Sequence, residues 1–297
     1  MAENSKIQWT DHTVNFWYGC RMISRGCYNC YWFRDAYLRY GRDPELFVRS
    51  QDSNFFKAYT YHEPAKIFTC SDSDFFHKNA DQWRDDAWTV IHNTPHLHWQ
   101  ILTKRPHLIR NRLPHDWGES GWNNVWLGVT VEGNLTHELR RIEILKNIPA
   151  AVRFISVEPL IEDIPNLPLE GIDWVIIGGE SGNDNGEFLY RPTELEWMLK
   201  IKEQCDAAGV PVFVKQLGVY LSKKLNHKKI VKRFNRRFEQ ELGTRMVKDK
   251  NTGLMKEVKN IMKYDREAGD IRFFPPELKV RQFPAHWNQF LADYYSK

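Results

Sequence analysis

Three of the five cysteines in this 297-residue chain, Cys20, Cys27 and Cys30, fall within eleven residues at a spacing of C-x6-C-x2-C. Gly19 and Gly26 stand directly before the first two. Thiols three positions apart can address one centre from a single turn, and the longer arm lets a loop carry the third thiol round the same object. Three thiolates rather than four leave one position of a metal centre open, which belongs to reactive centres more often than to structural ones. Three readings fit this spacing. A [4Fe–4S] cube held by three cysteines leaves its fourth iron for an exogenous ligand. S-adenosylmethionine can chelate that iron, and electron transfer then cleaves the sulfonium and releases a 5′-deoxyadenosyl radical. The second reading is a Cys3His zinc site with His12 as the nearest fourth ligand, and the third is coincidence. Cys70 and Cys205 read as small buried hydrophobes, Cys70 lying at a strand end from which it could approach the site.

The elements that must position these thiols follow in a regular rhythm. After the cysteine loop (residues 16–36), Tyr31 to Tyr40 reads as a helix stopped by Gly41 and the Asp43-Pro44 pair. Six short apolar runs then alternate with helical stretches: 67–70, 99–103, 125–131, 152–157, 174–177 and 210–214. Helices are expected near 79–93, after Lys104-Arg105-Pro106, at 136–146 and at 194–208. A further short strand at Lys6 to Thr10 brings the count to seven. Such alternation signals βα units and a parallel sheet. The fold expected is α/β, a full or incomplete parallel (β/α) barrel over 1–220, with a basic helix-plus-hairpin insertion at 221–263 and a C-terminal tail at 264–297 packing on the barrel.

Each of the six runs ends in an ionisable group: Asp72, Lys104, Glu132, Glu158, Glu180 and Lys215. In a parallel barrel those ends share one face, where active sites are built, although any strand must leave the core through something polar. Candidates for catalysis are Asp72, His77 and Lys104, with Asp74 beside them for proton transfer. Candidates for cofactor contact are Lys104, Thr130, Glu132, Glu158, the Gly178-Gly179-Glu180-Ser181 edge and Lys215. Lys104, Arg105 and Lys215 suit a cofactor carboxylate or a substrate phosphate; ordinary loop basicity is the plain alternative.

Charge is uneven. Between 223 and 263 there are 14 Lys and Arg against 4 Asp and Glu, whereas the rest of the chain carries 28 basic against 34 acidic residues. Such a segment suits a polyanion or is simply a solvated excursion. Residues 228–242 place Ile230, Val231, Phe234, Phe238 and Leu242 at helical spacing, with Lys228, Lys229, Lys232, Arg233, Arg236 and Arg237 around them as candidate nucleic-acid contacts. Residues 244–258 read as a hairpin about Asn251-Thr252-Gly253. No apolar run approaches 18 residues and the start lacks an apolar signal core, so a cytoplasmic protein is expected.

The chain resembles the three-cysteine-motif proteins of phages and prophages, a family of unknown function. The resemblance rests on Lys6-Ile7-Gln8-Trp9-Thr10-Asp11-His12-Thr13, the Gly-Cys pairs and Cys30-Tyr31, Ser71-Asp72-Ser73-Asp74-Phe75-Phe76-His77 and Leu102-Thr103-Lys104-Arg105-Pro106. It continues through Gly128 to Glu132, Ser156 to Leu160, Gly178 to Gly182 and Phe213 to Gly218. That family is similar to radical S-adenosylmethionine enzymes in cysteine loop and barrel, which implies a [4Fe–4S] cluster, S-adenosylmethionine and an external electron donor. The chain departs from those enzymes in its six-residue first gap, where three is usual, in Asn29 where an aromatic is usual, and in placing Gly178-Gly179-Glu180 on a late strand. The function implied is hydrogen abstraction from a nucleic-acid base or nucleotide, in modification or repair. The alternatives are a non-enzymatic nucleic-acid-binding protein with structural zinc, and a radical enzyme on a small nucleotide precursor whose basic segment serves a protein partner, such as a phage-encoded one.

Overall fold

Seven short apolar runs pair side by side in the order in which they occur along the chain. In the computed structural model, which describes residues 5–186, 189–237, 242, 244–248, 255–259, 262 and 265–296, they form one all-parallel sheet. The strands are β1 (His12–Val14), β2 (Ala65–Thr69), β3 (Leu97–Thr103), β4 (Val125–Thr130), β5 (Val152–Val157), β6 (Trp174–Gly178) and β7 (Val212–Gln216). The helices between them are α1 (Tyr31–Tyr40), α2 (Asp81–His92), α3 (Thr136–Lys146) and α4 (Leu195–Ala208). Because each crossover adds the next strand to the same edge, the sheet curls into a half-barrel, an incomplete (β/α) barrel.

Strand alternation divides the core in two. Ile67, Trp99, Ile101, Leu127, Val129, Ile155, Val175 and Val214 face the helices in the larger cluster. Phe68, Trp126, Phe154, Trp174, Ile176 and Phe213 fill the other face with Trp9 and Trp287. Trp126, Phe154 and Trp174 are fully buried, each contributing about 1.5–3 kcal/mol by leaving water. Gly128 leaves the space that the Phe154 ring occupies.

The first strand lies later than the sequence predicts. Residues 5–10 form turns that set Trp9 into the aromatic cluster, and pairing begins at His12, opposite Ile67. The helix expected after Pro106 is replaced by two single 3₁₀ turns, Pro106–Leu108 and Arg110–Arg112. Pro106 opens the first of these turns, and Pro114 follows soon after the second. The other helices stand close to their expected bounds, and α1 ends on Gly41 in the left-handed conformation.

After β7 come α5 (Gly218–Lys224) and α6 (His227–Arg237); the expected continuation through 238–241 lies outside the described residues. Two antiparallel strands follow, β8 (Thr244–Lys248) and β9 (Met255–Lys259), whose expected Asn251-Thr252-Gly253 turn also lies outside them. The chain then returns to the barrel. Val214 N–H donates to Val280 and Gln282 N–H to Val212, so the tail covers the open edge of β7. Helix α7 (Ala285–Tyr295) closes the aromatic end through Trp287, Phe290 and Leu291. Among the described residues no helix is long and apolar enough to cross a membrane.

Candidate functional site

The cysteine loop is tied to several other segments, and the ties explain its sequence. Ser24 Oγ donates to Glu132 Oε1 at 2.5 Å. Gly26 lies against the same carboxylate, where a Cβ would meet Glu132 Oε1 at 2.5 Å. Arg25 forms a fork with Glu138, at 2.8 and 3.0 Å, and also pairs with Glu162. Arg191 donates to the Arg25 carbonyl at 2.8 Å, and Asn29 donates to Glu180 at 3.2 Å. At the loop's start, Ser73 Oγ donates to the Gly19 carbonyl and Cys20 N–H donates to Pro44. Tyr31 O–H, on the first turn of α1, donates to the Ser71 carbonyl.

So held, the loop presents all three thiols to one cavity of about 710 Å3 at the C-terminal ends of the strands, the face where parallel barrels place their sites. Cys20, Cys27, Cys30, Asp72, Lys104, Thr130, Glu158, Ser181 and Lys215 all line it. Lys104 Nζ stands 3.6 Å from Glu132, and Arg105 Nη1 is 3.9 Å from Cys20 Sγ. Burial works to raise the Cys27 thiol, but Lys104 and neighbouring backbone N–H groups prevail and hold it below its ordinary value. Burial, aided by Asp74, pushes Cys20 up to about 12, and burial raises Cys30. Burial tends to lower Lys104, yet Glu132 and the thiols of Cys27 and Cys30 hold it raised. Lys215 Nζ lies 2.9 Å from Glu158 Oε1 on another wall. Asp72 accepts from Asn15 at 3.0 Å, and burial, with Asp35 beside it, raises it to about 6.

Five of the expected catalytic and cofactor residues do not line the cavity, each for a visible reason. His77 is buried, stacked on Phe47 at 4.3 Å, and its Nδ1 accepts from Asn79 N–H at 3.1 Å, which caps a turn. Glu132 is wholly buried, held by Ser24, Arg141 at 2.7 Å and Lys104. Glu180 is buried and paired with Arg191. Gly178 lies beneath the Glu158 carboxylate, and Gly179 touches the Leu217 carbonyl; neither position has room for a side chain. His12, the fourth ligand expected for zinc, stacks on Tyr61 at 4.1 Å; alternation sends Thr13, not His12, to the cavity. Among the described residues no three Cys, His, Asp or Glu side chains converge as a single metal ion would need.

The six candidate nucleic-acid contacts lie elsewhere, exposed on α6. His227, Val231 and Phe234 form its inner face, with Phe234 and His227 edge-on to Phe273. Lys228, Lys229, Lys232, Arg233 and Arg236 have no carboxylate partner among the described residues.

Sequence reasoning missed several residues of the site. Trp9 lines the cavity, and its buried Nε1–H has no partner among the described residues. Asp265 and Glu267 reach the cavity from the C-terminal segment, and burial raises Glu267 against the opposing pull of Lys215. The acidic run 265–270 in an otherwise aromatic tail was the available signal. Arg25, Arg141 and Arg191 gave none, since their partners lie 9 to 166 positions away.

The fold and this cavity define a parallel half-barrel protein with a thiol-bearing loop at its mouth. The chain belongs to the family described as "Protein of unknown function (DUF5131)", whose model matches residues 4–258. No curated protein and no solved structure matches it.

Proposed function

We propose that this chain is an iron–sulfur enzyme of the radical S-adenosylmethionine type, acting on a nucleic-acid base or a nucleotide in modification or repair. The observation that carries the reading is that three thiols from one loop line a cavity at the strand ends together with Lys104, Arg105, Glu158 and Lys215; Cys70, just after β2, also reaches this cavity, but burial pushes its thiol up to about 12. Three thiolates from one loop would hold a cluster and leave one of its irons open to a further ligand. When bound, a [4Fe–4S] cluster with S-adenosylmethionine supplies one-electron reductive cleavage and hydrogen abstraction, with electrons from an external donor.

The chain's own residues do the rest. Lys104 and Arg105 offset the negative charge of three thiolates in a partly dry site. The Lys215–Glu158 pair offers a cation and a carboxylate side by side, matched to the carboxylate and amino group of an amino-acid moiety. Asp72, whose Oδ2 accepts from Asn15, keeps its carboxyl protonated up to about pH 6. The cationic side of α6 neutralises nucleic-acid phosphates.

Anaerobic purification and reconstitution, with iron, sulfide and zinc analysis and an electron-paramagnetic spectrum of the reduced protein, test the reading. A reducible cluster that disappears in Cys30→Ala, with release of 5′-deoxyadenosine from S-adenosylmethionine, is expected. Near-stoichiometric zinc without a reducible cluster would establish the zinc-binding alternative instead. Salt-dependent binding of DNA or RNA that survives deletion of 223–263 would refute the role of α6.

A further inference from the structure

Lys104 lines a second cavity as well as the thiol cavity. This one is about 310 Å3 and carries four more groups that are or can become cationic: His107, His137, Arg140 and Arg141. No carboxylate lines it. The nearest acid on Lys104 and Arg141, Glu132, is wholly buried and already held by Ser24 and Arg141. Arg140, His107 and His137 are exposed and make no side-chain hydrogen bond or ion pair with another described residue. Arg140 has no acidic partner among the described residues, and a hollow lined by cations without a carboxylate favours an anionic ligand.

We propose that this second cavity is a binding site for a phosphate ester. Exposed Arg140 offers a guanidinium whose paired N–H donors can grip phosphate, while Arg141, buried and bonded through Nη1 to Glu132 and the Thr130 carbonyl, adds a fixed positive charge. Lys104 adds a point charge, and His107 and His137 add N–H donors. Ile23, Pro106 and Ile144 give the hollow an apolar wall. The volume exceeds what a bare phosphate fills and suits a phosphate with its attached sugar or base. The ligand is therefore a nucleotide unit, either a phosphodiester within a nucleic acid or the phosphate of a free nucleotide. This names the part of the proposed substrate that is held and rests on that reading for calling the ligand a substrate. The binding itself is independent of what the thiols hold.

Full-length protein is titrated with a fluorescein-labelled single-stranded oligonucleotide, by anisotropy across a salt series, and with adenosine 5′-monophosphate by calorimetry. The variants are Arg140→Ala and Arg140→Ala/His137→Ala, whose exposed, unpaired side chains leave the core untouched; circular dichroism confirms the fold. Arg140→Ala is expected to weaken binding at least tenfold and to lower the slope of log K against log salt by about one for the oligonucleotide. Weakening of both probes identifies a nucleotide phosphate as sufficient, and weakening of the oligonucleotide alone identifies the phosphodiester backbone. If neither probe binds the wild type, or if the folded double variant binds both as the wild type does, the proposal is overturned. The readout is binding alone, so zinc in the thiol site leaves this result standing, and failure here leaves the cluster reading standing.

Discussion

Arg105 Nη1 stands 3.0 Å from Asp74 Oδ2, while Nη2 of the same guanidinium donates to the Arg21 carbonyl at 2.6 Å. One side chain after β3 therefore joins the loop after β2 to the loop that carries Cys20. Asp74 is further held by Thr103 Oγ1 at 2.8 Å, and both members of the pair are buried. Removing only the cation strands a buried carboxylate, at a cost of about 3–5 kcal/mol, whereas replacing both by apolar groups costs far less. Arg105→Met should lower stability by about that amount in urea denaturation, and Arg105→Met/Asp74→Leu should recover most of it. Equal losses in the two proteins would show that the pair contributes nothing specific.

The strand rhythm made the half-barrel and its functional rim legible, because apolar runs buried on both faces leave a strong trace in sequence. Lys104, Glu158 and Lys215 reach the cavity as their positions at strand ends imply. Glu132 and Glu180 occupy equivalent positions, yet arginines claim them, buried Arg141 from α3 and half-buried Arg191 from the segment before α4. Which carboxylate stays available depends on arginines supplied by other elements, and no local pattern reports that. The three-residue β1 escaped for a related reason: it is too short to show alternation, and the aromatic Trp9 just before it belongs to the core without belonging to a strand.

Gly26 should tolerate no side chain. A Cβ there would meet both Glu132 Cγ and Oε1 at 2.5 Å, and Glu132 cannot withdraw while Ser24 and Arg141 hold it. Gly26→Ala should cost about 1–3 kcal/mol as an overpacking change and speed the reaction of Cys27 with a thiol reagent by loosening the loop. Gly41→Ala is the control. Its φ of +56° is unfavourable but nothing lies within 4 Å, so it should cost about 1 kcal/mol and leave Cys27 reactivity unchanged. Equal reactivity in the two variants would refute the steric account.

Asp72 gives stability a dependence on pH with a defined sign. Its folded pKa of about 6 lies above the ordinary 3.8, so the folded state favours the protonated form. That contribution is complete below about pH 4 and is lost as pH rises through about 6, a change of about 3 kcal/mol. Asp72→Asn does not titrate, so its stability relative to the wild type should improve by up to this amount between pH 4 and 7. A difference that stays constant over that range would show that Asp72 ionises normally.

His98 shows the opposite sign at the far end of the barrel. It is wholly buried beneath α7, with Phe290 at 4.2 Å and Trp287 at 5.0 Å, and its Nδ1 accepts from Trp126 Nε1–H at 3.1 Å. Burial, with His286 and Lys66 nearby, lowers it to about 3, so it is neutral when folded and takes up a proton more readily when unfolded. Stability from this group is therefore complete above about pH 6.5 and falls by about 1.4 kcal/mol per pH unit as pH drops toward 3. Paired carboxylates also weaken in acid, so the informative quantity is the difference from His98→Gln, which keeps an acceptor for Trp126 but cannot become charged. Denaturation followed by tryptophan fluorescence should show the wild type losing stability faster than His98→Gln from pH 6.5 downward. Parallel profiles would mean that His98 becomes charged without disturbing the aromatic end, and that α7 does not depend on a neutral ring beneath it.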